Sequence, residues 1–254
     1  MNPILFSHLS RARRRREERL FLDGTVLAPF CDAQRDIRSA DLLLYRKNGL
    51  ISVAGRGIHS HAAKAAWWDN DLFCLEVREF HGGRAVTLQS QVQRWPGRID
   101  VFRANADDRW PEYDRRGAVA VMRRFAGCDY GYWNVFKTAL THVPVLRLCC
   151  RPAVNHDQDE IWAQTLLDLE PFNDEPLKNF PQWCENSDEF RELIKKNRDR
   201  NRRCVPPPPY CSEACSLADR LGGGVNPVEL LSDRFTEPAD LARSPFYRYL
   251  FTLA

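Results

Sequence analysis

The chain has 254 residues, enough for one large domain or two small ones, and 44% hydrophobic residues make a packed core possible. The net charge of +3 names no partner, and without a run of about 18 apolar residues no transmembrane segment is expected. Met1 to Leu22 lacks the apolar stretch of a secretory signal, and nine cysteines fall at irregular spacing, so reduced thiols and a cytoplasmic location are the expectation.

Ser10 to Leu22 predicts a short charged helix, and Arg11 to Arg16 holds five arginines. Lys195 to Arg203 holds six basic residues. Each run reads either as a solvated helix face or as a contact with nucleic acid or another anionic polymer. Residues 1–37 are assigned to a basic N-terminal arm and 38–254 to one domain.

Asp41-Leu42-Leu43-Leu44-Tyr45 predicts a buried strand. Ser60 to Trp68 and Leu72 to Phe80 predict two more, joined by turn residues Asp69-Asn70-Asp71. Ala85 to Gln91 and Ile99 to Phe102 are expected to be strands, separated by the breaker Trp95-Pro96-Gly97. This part of the chain is expected to form an antiparallel meander.

The pattern then changes. Ala118, Val121, Met122 and Phe125 recur at helical spacing within Tyr113 to Phe125, and Gly127 ends that helix. Tyr132 to Leu140 predicts another. Residues 145–205 are polar and read as an insertion, with helices expected at Ile161 to Leu169 and Asp188 to Asn197. Pro206 to Pro209 cannot continue a helix. Ser212 to Leu221 then predicts a helix with Ala214, Cys215, Ala218 and Leu221 as its buried stripe, ended by Gly222-Gly223-Gly224.

Cys211 falls in the first turn after the prolines, where unpaired N–H groups and the helix dipole favour a thiolate. The bland alternative is a small buried hydrophobe. His61 lies among small residues in Ser60-His61-Ala62-Ala63, which leaves room at its ring for a substrate. His59 competes with it, because strand alternation puts His59, His61 and Ala63 on one face. Glu76, between Leu75 and Val77, is costly in an apolar strand without a partner. His61 would supply one, as an imidazole that the carboxylate orients. Glu79 and His81 are weaker candidates, and Glu76 pointing to solvent is the alternative. Tyr210 and Tyr130 are candidates to line a substrate pocket, with core packing as the alternative. Cys149-Cys150 and His156 lack a second ligand pair, so no metal and no cofactor is expected.

Together these residues resemble the YiiX-like, circularly permuted branch of the NlpC-type papain-fold hydrolases, related to the lecithin:retinol acyltransferase-like group. Asp41 to Tyr45 is similar to that family's opening "GD-apolar-apolar" strand, with Ala40 where glycine is usual. Ser60-His61-Ala62-Ala63 resembles its "SH-small" strand, and Leu75-Glu76-Val77 its "EA" strand. Gly127-Cys128-Asp129-Tyr130 resembles a "G-x-YD" turn with its last two residues swapped. Tyr210-Cys211-Ser212-Glu213 resembles the "[FY]CSE" nucleophile motif, the most specific piece. Glu237-Pro238-Ala239-Asp240-Leu241 to Ser244-Pro245 is similar to the family's closing segment.

The resemblance implies an α+β, permuted papain-like fold, with an antiparallel sheet or small barrel packed against helices and the cysteine on a C-terminal helix. It implies a cysteine amidase or peptidase using Cys211, His61 and Glu76 on peptidoglycan-type peptides or another amide. A lipid acyltransferase or thioesterase on the same scaffold is the second reading. A non-catalytic binding or structural protein with basic segments is the third.

Overall fold

A computed structural model describes residues 24–46, 57–68, 70–125, 127–140, 208–229 and 231–254. The Arg11 to Arg16 run, the Lys195 to Arg203 run and the two helices expected within 145–205 lie outside the described residues.

Among the described residues, seven strands form one mixed sheet, and helices pack on it. The strands are β1 (Leu27–Ala28), β2 (Leu42–Tyr45), β3 (His61–Trp68), β4 (Asp71–Arg78), β5 (Gly82–Thr87), β6 (Ile99–Ala104) and β7 (Tyr247–Leu253). Their order is β1-β7-β6-β2-β3-β4-β5. β2 to β5 form the expected antiparallel meander. β6 returns to the far side of β2, β7 pairs with β6, and β1 runs parallel to β7. Among the described residues this order leaves β1 and β5 as two separate edges, so their sheet is open and not closed into a barrel.

All four residues of β2 are buried, as an apolar strand in the middle of a two-sided sheet requires. Alternation along β3 divides the core. Ala62 and Ala66 join Leu42, Leu44, Leu75, Val77 and the cysteine helix. Ala63 and Ala65 join Ile37, Leu43, Val86, Leu88, Val92 and Ile99 on the opposite face. The small β3 side chains let a fully buried helix lie close against the strand.

Helices α1 (Phe30–Ala33), α2 (Leu88–Arg94), α3 (Arg115–Arg124), α4 (Tyr132–Leu140), α5 (Cys211–Leu217) and α6 (Pro238–Arg243) complete the described elements with short 3₁₀ and π turns. Two sequence expectations change here. The strand expected to reach Gln91 stops at Thr87, and Leu88–Arg94 is α2. Leu88, Gln91 and Val92 are spaced to bury one helical face, and Pro96 closes the helix by restricting the residue before it. The helix expected from Ser212 begins at Cys211, and a π turn over Ala218–Gly222 follows Leu217. Every residue of α5 is buried, so it has no single apolar stripe. Residues 24–37, grouped with the arm from sequence, include β1 and place Ala33 and Ile37 in the second apolar cluster.

Ala40 takes φ 69°, a left-handed conformation that suits glycine and costs roughly 1–2 kcal/mol for other residues. Asp41 beside it is fully buried. Its carboxylate accepts from Arg38 N, Arg103 Nε and Arg115 at 2.9, 3.0 and 3.0 Å. Lys64 is also fully buried, on the helix-facing side of β3. Its ammonium donates to both oxygens of Asp219 at 2.8 and 2.7 Å, and to Tyr247 Oη at 2.9 Å. This pair ties the histidine strand to the turn that follows the cysteine helix. Among the described residues, no helix is long and apolar enough to cross a membrane.

Candidate active site

Pro208 and Pro209 deliver an extended Tyr210, and α5 starts at the next residue, Cys211. Glu213 closes the start of this helix, its carboxylate accepting from Tyr210 N at 3.3 Å. The same carboxylate accepts from Asn134 Nδ2 on α4 at 3.0 and 3.2 Å. Burial pushes Glu213 up to about 8, although Asn134 and the Tyr210 N–H pull the other way. The glutamate of the motif is therefore a cap and a tie between two helices.

Two backbone seams bring Tyr130 to the same place. Gly83 N donates to Cys128 O, and Gly127 N to Gly83 O, both at 2.8 Å. Gly82, at φ 69°, lies so close to Cys128 O that an added Cβ would sit 2.1 Å from it. Gly131 N donates to Pro209 O at 3.0 Å, and a Cβ on Gly131 would meet Pro208 O at 2.2 Å. Tyr130 is thereby pinned between the β5 edge and the approach to Cys211, and burial and the neighbouring thiol raise its hydroxyl well above the ordinary range.

His61 begins β3, with Tyr45 opposite it in the strand pairing and the two rings edge to face at 5.1 Å. Its Nε2 lies 2.6 Å from Glu76 Oε2. The ring also lies close enough to the Cys211 thiol for each to shift the other's proton equilibrium. Cys211 is 0% exposed, and the His61 side chain retains 14% exposure.

The electrostatics follow from these contacts. Burial disfavours a thiolate at Cys211. The hydrogen bond and charge of His61, with the N–H groups of Ala62 and Ser212, outweigh it and hold the thiol below its ordinary range. Burial likewise disfavours charge on His61, but Glu76 and Cys211 push the ring up to about 9. Glu76 stays far below the usual carboxylate range against its burial, through His61 first and then Arg84 and Arg78. The lowered thiol and the raised ring together favour a thiolate–imidazolium pair. Cys215, one turn further along, has the opposite character: burial raises it well above a normal thiol.

The structure thus brings Cys211, His61, Glu76 and Tyr130 together. It places Tyr210 elsewhere: the ring is buried, and its hydroxyl is committed to Thr236 O at 2.8 Å and Arg234 O at 3.1 Å. That is core anchoring of the helix start. His59 does not share the His61 surroundings. β3 begins only at His61, so alternation does not extend back to His59. The His59 ring packs at 5.9 Å on Phe102 of the helix-facing cluster, with Nε2 2.7 Å from Asp100 Oδ2. Glu79 and His81 lie at the β4–β5 connection, beyond the end of β4. Arg84, Arg78 and Asn134 were not singled out from sequence. Arg84 could have been found only by knowing that it lies opposite Glu76 across the β4–β5 pair.

Among the described residues, no group of three His, Cys, Asp or Glu side chains could hold a metal ion; Cys149, Cys150 and His156 lie outside them. No protein-family model matches the chain, and no curated protein matches it.

Proposed function

We propose that the chain is a cysteine hydrolase, an amidase or peptidase that works through an acyl-enzyme. The observation that carries this reading is the 2.6 Å contact of Glu76 with the His61 ring, beside a cysteine at the start of a helix whose thiol His61 holds below its ordinary range. In this mechanism the Cys211 thiolate attacks an amide carbonyl and forms the thioester bond. Backbone N–H groups at the start of α5, including that of Cys211, stabilise the developing oxyanion. The His61 imidazolium gives its proton to the leaving amine. Neutral His61 then takes a proton from water, whose oxygen attacks the thioester and releases the acid. Glu76 keeps the ring oriented throughout.

The order of the parts, histidine strand first and cysteine helix after, supports assigning the chain to the permuted, YiiX-like NlpC-type papain fold. Peptidoglycan-type peptides are the leading substrate. A second reading, acyl transfer or thioester hydrolysis on a lipid, draws on Phe80, Tyr132, Trp133 and Phe136. These are exposed, and Tyr132 packs on Tyr130 at 4.9 Å.

A substrate panel tests the proposal. Peptide amides and acyl esters of increasing chain length are offered to the wild-type chain and to Cys211→Ala. Turnover of peptide amides that is lost in Cys211→Ala supports the leading reading. Turnover confined to long-chain esters favours the lipid reading. Turnover that survives in Cys211→Ala removes the mechanism, and a folded protein inert toward the whole panel leaves the binding-protein reading.

A further inference from the structure

We propose that Arg84 is a positioning residue for this site: it holds one oxygen of the Glu76 carboxylate so that the other is reserved for the His61 ring. The inference rests on the functional reading above and adds to it a residue that acts only through Glu76.

The placement comes from strand register. β4 and β5 pair antiparallel with Glu76 directly opposite Arg84, and directly opposed side chains lie on one face with Cβ atoms about 4.5–5.5 Å apart. Arg84 Nε donates to Glu76 Oε1 at 2.8 Å, and a terminal nitrogen of the same guanidinium lies 2.7 Å from that oxygen. His61 Nε2 is 2.6 Å from Oε2. The two oxygens are thus divided between two partners. Arg78 follows Glu76 by two residues on the same strand face and approaches Oε1 at 3.4 Å. The amide oxygen of Gln91 on α2 accepts from Arg78 at 3.2 Å.

A division of this kind answers a problem that burial creates. The torsion that turns a glutamate carboxylate is broad and roughly two-fold, so one contact to an imidazole does not fix its plane. Glu76 is 1% exposed, and water has little part in holding it. An arginine supplies a permanent charge and a rigid fork of donors, which a lysine ammonium does not reproduce. Arg84 is itself buried, so the clamp is enclosed with the carboxylate that it holds. The competing explanation is that Arg84 only neutralises a buried carboxylate. Its loss would then lower stability without changing how the ring acts on Cys211.

The experiment compares Arg84→Ala, Arg84→Lys, Glu76→Gln and the double variant Glu76→Gln/Arg84→Ala. Each receives a thermal melt, kcat and KM on an acyl substrate turned over by the wild type, and the pH dependence of Cys211 modification by an aromatic disulfide. The proposal predicts that Arg84→Ala lowers kcat about ten- to a hundredfold, the scale of a misplaced catalytic group, with KM nearly unchanged. The midpoint of Cys211 thiolate formation moves to higher pH. Arg84→Lys recovers only part of both effects. The double variant is no slower than Glu76→Gln, because Arg84 has nothing left to act through.

Additive losses in the double variant overturn the proposal. So does an Arg84→Ala chain that melts lower but keeps its kcat and its midpoint. If Arg84→Ala fails to fold, Arg84→Lys decides: wild-type kcat and midpoint in that variant mean that charge alone suffices, and the clamp is rejected. Failure of the functional reading looks different. There Cys211→Ala keeps turnover, while the disulfide-probe midpoints still report whether Arg84 acts through Glu76.

Discussion

Replacing His61 with alanine should slow the reaction of Cys211 with a disulfide near neutral pH. The hydrogen bond and charge of His61 are the two largest influences that favour the Cys211 thiolate, against burial. Without them the thiol returns to its ordinary pKa of about 8.5 or higher. Helix-start, His-paired thiols titrate at about 3.5–7.5. Below both midpoints, each pH unit by which His61 lowers the Cys211 midpoint raises the thiolate fraction about tenfold. The more basic thiolate is the better nucleophile, with a Brønsted slope of about 0.4–0.5, which returns a factor of about three per unit. The net expectation is a slower reaction of the variant with an aromatic disulfide at pH 6.5, by about three- to fourfold for each pH unit that separates the two midpoints. The difference should close toward pH 9, where both thiols ionise and His61 in the wild type itself loses its proton. Peptide mass spectrometry after brief exposure gives the rate at each cysteine, with exposed Cys31 as the internal reference. Equal rates for wild type and His61→Ala at pH 6.5 would refute the reasoning, as would a wild-type Cys211 that follows the pH curve of Cys31.

Glu213 gives a stability prediction with a definite sign. Its folded-state pKa is raised to about 8, above an unfolded value of about 4.3. The folded chain then holds a proton that the unfolded chain gives up, and this group costs stability progressively as pH rises from about 4.3 to about 8. Glu213→Gln should therefore raise the melting temperature at pH 8 and leave it nearly unchanged at pH 4; the reverse order would show that the carboxylate is ionised when folded. Lys64→Met should cost about 3–5 kcal/mol by leaving Asp219 buried without its cation. Adding Asp219→Leu should restore most of the loss in a denaturant titration, and additive losses would show that the ion pair is not the relevant unit.

Much of the sheet was legible because its strands are short apolar or small-residue runs that lie between turn residues. The strands expected at Ser60 to Trp68 and Leu72 to Phe80 form over His61–Trp68 and Asp71–Arg78. The misread segment, Leu88 to Arg94, has only seven residues. Over so short a run, Val86, Leu88 and Val92 fit alternation and helical spacing almost equally well, and burial by the neighbouring strands decides. Cys211, His61 and Glu76 could be named from their neighbours in sequence, because a small-residue strand and a proline-preceded helix start are local features. Arg84 and Asn134 could not. Each belongs to the site through a partner on another element, Glu76 across a strand pair and Glu213 across a helix contact. Tyr210 stood open between pocket lining and core packing for a related reason: the carbonyls of Thr236 and Arg234 that hold its hydroxyl lie on a distant segment of the chain.

The central claim is that Cys211 becomes acylated during turnover. Rapid acid quench of the chain with a slowly hydrolysed acyl substrate, followed by peptide mass spectrometry, tests it directly. The account predicts a hydroxylamine-sensitive acyl mass on the peptide that contains Cys211, accumulating at the rate of leaving-group release and strongly reduced in His61→Ala. Turnover with no acyl mass on Cys211, or with the acyl group on another residue, would contradict it.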